Sequence, residues 1–575
     1  MKITRRQALL SSLAGGVSGC ASLPAAQRFD SAQPTQSSAD MFRHGVASGD
    51  PAADSVVLWT RISNVTGRIT GTVRLTEDDA FSAVPRKPRT IPFSTDAARD
   101  HTVKVLATGL KPGTRYTYRF EVDSELSPEG TTRTLSQQAE EARFAVVSCS
   151  NFPFGFFNVY DHIARQPDID AVIHLGDYLY EFGPSGYGGK SGAALGRNHE
   201  PPREILTLAD YRQRHAQYKG DPSTQSMHAA HPLIAVWDDH ETANDAWQHG
   251  AENHQPATEG DWEVRKAAAL QAYYEWMPVR DPVPGRPREA LFRSFTWPGL
   301  LTIATLETRL TARSAPLVYT EFVPTLQTQE DIDAFQRDVI GDPSRRLISD
   351  AQMDFLRTTL KGSVDRKEPW RLLANQVMFA SVIAPNLIPY ADEETIQELE
   401  KQWDQARAFV EFSALGLPIN LDAWDGFPAD RERVYAMARS VGASDLVVLT
   451  GDTHEGWAND LFTEGGEQVG VELGATGVTS PGPSLYLGDK AFDYSLLIRR
   501  KNKHVRYHEP LYRGYVLLSL SKTKGKADFV AVSTVTDTSY DASVTASFDL
   551  RKQDGTVKFA APKGLGVKER YLYST

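Results

Sequence analysis

The stretch AVIHLGDYLY, residues 171–180, is a short apolar run that stops at a Gly-Asp step and resumes with aromatic residues. Apolar runs of four to eight residues suit strands buried on both faces, as in a parallel sheet covered by helices. Five more runs follow the same pattern: residues 144–149 (FAVVSC), 233–240 (LIAVWDDH), 301–306 (LTIATL), 372–379 (LLANQVMF) and 446–454 (LVVLTGDTH). Between them lie helical stretches at 262–276, 350–360, 393–412 and 430–440. This alternation predicts an α/β layered domain. In such sheets ligands collect beyond the carboxyl ends of the strands. Four of those ends carry Cys149, Asp177, Asp239-His240 and Asp452/His454.

Working outward, residues 41–136 have the composition of a small β-domain. Residues 56–62 (VVLWTRI) and 114–122 (TRYTYRFEV) read as strands, and GLKPG at 109–113 supplies turn chemistry before the second. The pattern is similar to an Ig- or fibronectin-like β-sandwich. A polar linker, SQQAEEA, covers 136–142. Residues 515–520, 528–532 and 543–550 are β-like again and are expected to complete the catalytic sheets, with a separate third domain as the alternative. The expected organisation is therefore a leader and tether over 1–40, a β-sandwich over 41–136 and a catalytic domain over 143–560. A chain of 575 residues has room for this, at roughly 100–200 residues per domain.

Lys and Arg number 62 against 73 Asp and Glu, a net charge of −11 that argues against a generic nucleic-acid binder. Only Cys20 and Cys149 are present, which excludes a disulfide-built scaffold and any Cys₃ or Cys₄ zinc site. Residues 4–10, TRRQALL, form a twin-arginine pattern before a short stretch rich in Ala, Gly and Ser, too weak to span a bilayer. It reads as an export signal for the twin-arginine machinery. Residues 17–20, VSGC, resemble a lipobox in which Cys20 is lipidated; an ordinary signal with a chance cysteine is the alternative. Residues 21–40 read as a flexible tether. The expected location is periplasmic, or membrane-anchored through Cys20 on the outer side, and the expected state is a monomer.

The chemistry-bearing pieces are Ser148-Cys149, Gly176-Asp177-x-x-Tyr180, Trp237-Asp238-Asp239-His240-Glu241 and Gly451-Asp452-Thr453-His454. Each alone has a bland reading: a strand-end Asp is often a turn cap, a lone His is often structural, and a free Cys is often core packing. In this order, all at strand ends, they resemble the metal-site motifs of the metallophosphoesterases. Cys149 in place of the usual aspartate narrows the resemblance to the PhoD-type alkaline phosphatases. Residues 42–51 (FRHGVASGDP), 57–61 (VLWTR), 208–212 (LADYR), 424–426 (WDG) and 512–515 (YRGY) extend it from residue 41 to about 550.

The resemblance implies a metallophosphoesterase-like layered α/β/β/α sandwich preceded by the small β-sandwich. It also implies hydrolysis of phosphomonoesters and/or phosphodiesters at alkaline pH, by metal-activated oxygen attack on phosphorus with His240 protonating the leaving group. Fe³⁺ would take Cys149, Tyr180, Asp177 and His454, and Ca²⁺ would take Asp177, Asp239 and Asp452. Ligand chemistry agrees: thiolate, phenolate and imidazole suit a transition metal, and carboxylates suit calcium. Those five acidic groups, all ionised, match the charge of one Fe³⁺ and one Ca²⁺. Asp238 or Glu241 is expected to orient His240, with Asp238 equally placed to bind calcium. Asn244 and Asn375 stay open between ligand, supporting group and plain capping or core hydrogen bonding.

The chain departs from the family pattern at Ser150, in the aromatic run 152–157 (FPFGFF), at Glu307-Thr308-Arg309 and in the loop 183–203. Lys190, Arg197 and His199 of that loop are candidates to touch substrate, a solvated loop being the alternative. The competing functional class is a cell-surface binding protein on a decayed hydrolase fold.

Overall fold

The computed structural model describes residues 27–32, 40–78, 87–401, 403–488 and 490–560. The twin-arginine segment and Cys20 lie outside the described residues. The N-terminal region contributes β1 (Gln27–Asp30), β2 (Val46–Gly49), β3 (Ser55–Arg61), β4 (Ile69–Glu77), β5 (Arg89–Thr95), β6 (Thr102–Thr108), β7 (Arg115–Val122), β8 (Glu125–Leu126) and β9 (Gly130–Arg133). The first half of the catalytic region adds β10 (Glu141–Val147), β11 (Ala171–His174) and β12 (Leu233–Ala235). Its second half adds β13 (Ser294–Trp297), β14 (Leu301–Thr305), β15 (Trp370–Ala374), β16 (Leu446–Thr450), β17 (Gly456–Phe462), β18 (Gln468–Gly474) and β19 (Val505–Glu509). The chain closes with β20 (Arg513–Ser521), β21 (Gly525–Val532), β22 (Ser539–Gln553) and β23 (Thr556–Phe559).

Two sheets form the centre. The first runs β1-β22-β21-β20-β10-β11-β12-β2-β3-β6, the second β13-β14-β15-β16-β18-β17-β19. The members β10, β11 and β12 are parallel, as are β14, β15, β16 and β18. Alternation along each strand decides the layering. Phe144, Val146, Ile173 and Ile234 face Ile303, Leu372, Val447 and Leu473 in a core between the sheets. Their neighbours Ala145, Val147, Val172 and Leu233 face outward, under the helices Asn158–Ala164, Leu208–Lys219, Pro222–Ala230 and Trp262–Trp276. On the far side, helices Asp350–Asp365, Pro428–Ser440 and Lys490–Lys501 cover Ala304, Leu373 and Val448. The result is an α/β/β/α sandwich with β20, β21 and β22 extending its first sheet. The helical stretch 393–412 is broken into Glu393–Glu400 and Ala406–Phe412.

The N-terminal β-rich region is less separate than its sequence suggests. Strands β2, β3 and β6 belong to the catalytic sheet, because β2 lies parallel to β12 at Gly49 and Leu233. A sheet of order β5-β4-β7-β8, with β9 on β7, packs over them around Val56, Leu58, Val73 and Phe120. Trp59 donates its indole hydrogen to the Glu275 carbonyl at 2.9 Å and packs on Trp276, with ring centroids 5.7 Å apart. The linker expected at 136–142 runs directly into β10.

Residues 27–30 correct the reading of 21–40 as a tether. They pair antiparallel with β22, from Gln27 opposite Ala542 to Asp30 opposite Ser539. Phe29 stacks on Tyr540 and meets His162 edge-on. The strand it pairs with is some 500 positions away, so no local pattern announces β1.

Candidate metal centre

The loops after β10, β11, β12 and β16 meet at one end of the sandwich. Cys149 donates its amide to the Gly176 carbonyl at 3.1 Å, and Ser150 donates to Asp177 at 2.9 Å. Glu241 gathers three amides, from Tyr178 at 2.7 Å, Asp238 at 2.9 Å and Asp177 at 3.1 Å. Its carboxylate therefore clamps the loops that carry Asp177 and Asp239. Across the sheets, Val478 donates to the Ser148 carbonyl at 2.9 Å. Four of the site residues, Cys149, Asp177, Asp452 and His454, have left-handed backbones with φ of 60°, 55°, 63° and 61°. Each such residue costs on the order of 1–3 kcal/mol and persists only where its surroundings impose it. Gly176, with φ of 108°, provides the turn before Asp177.

Two groups of ligand atoms form, each within 4.8 Å: Cys149, Asp177 and His454, and Asp177, Asp239 and His240. Asp177 belongs to both. The Tyr180 hydroxyl lies 3.0 Å from Asp177 Oδ2 and 3.2 Å from His454 Nε2, and accepts from Ser480 at 2.8 Å. His454 Nδ1 is 3.0 Å from the Pro481 carbonyl, which can only accept, so the hydrogen sits on Nδ1 and Nε2 faces the cluster. Asp452 joins neither group. Nη2 of the buried Arg309 is 3.8 Å from Asp452 Oδ1 and equally 3.8 Å from Asp239 Oδ1. Asp452 thus stands across a guanidinium from Asp239, both carboxylates facing the same nitrogen.

The electrostatics show acidity without enough counter-charge. Burial, reinforced by Asp177, pushes the Cys149 thiol well above its ordinary range, and burial does the same to Tyr180. Asp177 and Asp452 are also driven well up, by burial and then by neighbouring carboxylates, although His240 opposes this at Asp177 and Arg309 at Asp452. Burial raises Asp238 to about 6 and Asp245 to about 8, against the pull of Arg309. Asp239 goes the other way: burial would raise it, but Arg309 and His240 hold it well below the usual carboxylate range. The buried Asp177 Oδ1 and Asp238 Oδ2 accept no hydrogen bond among the described residues. A multiply charged cation would supply what these groups lack. The donors fit two kinds of ion, with thiol, phenol and imidazole on one side of Asp177 and carboxylate on the other.

His240 rests on a residue that sequence reasoning missed. Its Nδ1 lies 2.7 Å from Glu181 Oε2, and its ring packs against Tyr180, tilted by 30° with centroids 4.1 Å apart. Burial would lower the His240 pKa, but Asp239, Glu181 and Asp177 raise it well above the ordinary imidazole value. The expected orienting groups are engaged elsewhere: Asp238 pairs with Arg309, and Glu241 holds the three amides. Glu181 itself accepts from the Asn244 amide and the Asn253 side chain, both at 2.8 Å. Asn244 contributes its backbone there, while its side chain donates to Glu252. Asn375 makes core hydrogen bonds, accepting from Trp424 and donating to Val377.

The loop 183–203 reaches the site through a residue other than those expected. Arg197 is buried against Asp221 and over the Phe152 ring, and His199 is bound to Phe182 and Tyr218. Lys190 is exposed. The contact is Tyr187, whose hydroxyl is 3.2 Å from the Pro481 carbonyl and whose ring lies parallel to His454 at 6.3 Å. Phe154 of the aromatic run packs edge-on against Tyr187, while Phe157 is core.

Residues 144–529 match the family model described as PhoD-like phosphatase, and residues 27–136 match that described as PhoD-like phosphatase, N-terminal domain. Alkaline phosphatase D of Bacillus subtilis (strain 168) is 34% identical over 531 residues, covering 89% of this chain and 81% of that protein. A solved structure described as "Structure of PhoD" aligns with a TM-score of 0.73 at 31% identity, covering 93% of this chain and 95% of that one.

Proposed function

This chain belongs to the PhoD-like phosphatase family and is a phosphoesterase; from that premise we propose that it hydrolyses phosphomonoesters and/or phosphodiesters at alkaline pH with an Fe³⁺–Ca²⁺ pair. The observation that carries the reading is Asp177, shared between a thiol-and-imidazole group and a carboxylate group. Cys149, Tyr180 and His454 would hold iron with Asp177, and Asp177 and Asp239 would hold calcium, with Asp452 facing them across Arg309. The bound ions supply Lewis-acid charge to phosphate oxygens and acidify the attacking water.

The chain's own groups do the rest. His240, whose pKa the carboxylates around it raise, donates from Nε2 to the departing alkoxide while Nδ1 stays on Glu181. Arg309 spreads one positive charge over Asp238, Asp422, Asp239 and Asp452, which holds those acids in place near each other. The Pro481 carbonyl fixes the tautomer of His454. The two ligand groups that share Asp177 and the family membership both weigh against a decayed binding protein.

The test compares p-nitrophenyl phosphate with bis(p-nitrophenyl) phosphate in calcium-containing buffer at alkaline pH, alongside metal analysis. Turnover with iron and calcium present is the expected result, and the ratio of rates assigns monoesterase or diesterase. Zinc at full occupancy with no iron would overturn the ion assignment. A tyrosinate–Fe³⁺ centre absorbs visible light, so a colourless active enzyme would remove Tyr180 from the ligand set. Export by the twin-arginine route, with the mature protein periplasmic or anchored by a lipid on Cys20, belongs to the same proposal; residues 4–10 and 17–20 support it. A metabolically incorporated fatty acid should be lost in Cys20→Ser.

A further inference from the structure

Beside the metal centre lies a cavity of about 350 Å³ whose walls include Trp403, Phe409, Tyr486, Tyr494, Met378 and Leu487. Trp403 packs on Phe409 and Tyr486, with ring centroids 5.2 and 5.5 Å apart. The cavity shares walls with the site already described: His454, Tyr187 and Pro481 line it. His454 turns Nε2 toward Tyr180 and Asp177, and so stands between the two spaces. An ester whose phosphate occupies the metal centre has this cavity next to it.

The carboxylates lining the cavity are already engaged. Asp425 is paired with Arg431 at 2.8 Å and accepts the Val382 amide. Glu455 lies 2.6 Å from His508 Nε2, and the Thr453 hydroxyl accepts from Trp457. A sugar or glycerol entering here would meet only neutral polar groups, those of Asn420, Tyr486 and Tyr494, among apolar walls, few against the hydration it gives up. An alkyl chain or aromatic ring would gain from leaving water. The volume is that of about a dozen waters at roughly 30 Å³ each, at the small end of ligand pockets. We propose that this cavity is a substituent subsite, and that the preferred substrates are phosphate esters carrying a bulky apolar alkyl or aryl group. The proposal rests on the phosphoesterase reading of the neighbouring centre.

The test is a series of n-alkyl phosphates from ethyl to octyl, whose alcohols differ little in acidity, assayed by phosphate release with the metal-loaded enzyme. Expected is a kcat/KM that climbs about two- to fourfold per methylene until the cavity is full. A flat or falling series, with ethyl phosphate and p-nitrophenyl phosphate both hydrolysed, overturns the subsite and leaves the phosphoesterase reading intact. No turnover of these esters or of bis(p-nitrophenyl) phosphate overturns that reading first. Leu487→Asp, a half-buried position, should flatten the series by placing a charge in the cavity. Octylphosphonate gives a readout without chemistry: it should inhibit the wild type more strongly than ethylphosphonate does, and lose that advantage in Leu487→Asp. An unchanged advantage would overturn the assignment, and the wild-type series stands alone should the variant not fold. Phosphocholine against its neutral isostere, 3,3-dimethylbutyl phosphate, checks the chemistry. The neutral ester is expected to win; preference for phosphocholine would mark an aromatic cage for cations instead.

Discussion

His240 rests on a neighbour that no motif names. Glu181 follows Tyr180 directly, yet its partner is 59 positions further on, and only the meeting of two strand-end loops brings them to 2.7 Å. Motif reading could list Asp177, Tyr180, Asp239, His240, Asp452 and His454 because each follows an apolar run. It could not rank Asp238, Glu241 and Glu181 as supports, because that depends on which carboxylate is already engaged. Asp238 is held by Arg309, and Glu241 by three amides. Removing the Glu181 charge removes one of the carboxylates that raise the His240 pKa. The acid form is then lost at lower pH, so the alkaline limb of the kcat profile should move down in Glu181→Gln. About one pH unit, or tenfold less acid at a given pH on that limb, is the expected scale. The sign holds whichever ions are bound, since the change is the loss of a charge at fixed distance. A pH–kcat profile superimposable on the wild type would show that Glu181 does not tune the acid.

At the scale of elements, the strands were legible and the irregular pieces between them were less so. Apolar runs of fixed length and period specify β10, β11, β12, β14, β15 and β16 through burial alone, which is a local property. The loop 183–203 carries six glycines and little period. Its contact with the site through Tyr187, and the burial of Arg197 and His199, follow from packing on Phe152, Phe154 and Tyr218 that the loop's own residues do not encode. Gly176 shows how tightly the strand ends are fitted. A Cβ there would sit 2.5 Å from both Cβ and N of Asp238, on a backbone at φ +108° that other residues rarely adopt. Gly176→Ala should therefore push the loops bearing Asp177 and Asp238 apart. A loss of about 2 kcal/mol or more is expected, since clash adds to backbone strain. Calorimetric melting with metal stoichiometry on the same sample checks it: Tm and bound iron should fall together. A variant that melts lower but keeps full iron would show that the loop absorbs the change elsewhere.

For the whole molecule, the question is where one unit ends. Composition marks residues 41–136 as a β-domain, and the family comparison gives that region its own model, 27–136. Backbone pairing between β2 and β12, and the Trp59–Trp276 contact, tie it to the catalytic sheet through residues far apart in the chain. A chain starting at residue 137 would expose the β12 edge and the face of helix Trp262–Trp276 on which Trp59 packs. It should aggregate or melt far below the intact protein, and the intact protein should melt in one transition by calorimetry. Two separated transitions, or a soluble and active fragment, would count against a shared core. The edge strand β1 has a consequence of another kind. It pins Gln27 to the rim of the first sheet, opposite Ala542. Six residues lie between Cys20 and Gln27, a reach of about 25 Å at full extension over seven steps. A fatty acid on Cys20 would accordingly berth the enzyme close to the bilayer with the β1–β22 rim held down, giving it a fixed underside and a limited swing instead of a long leash.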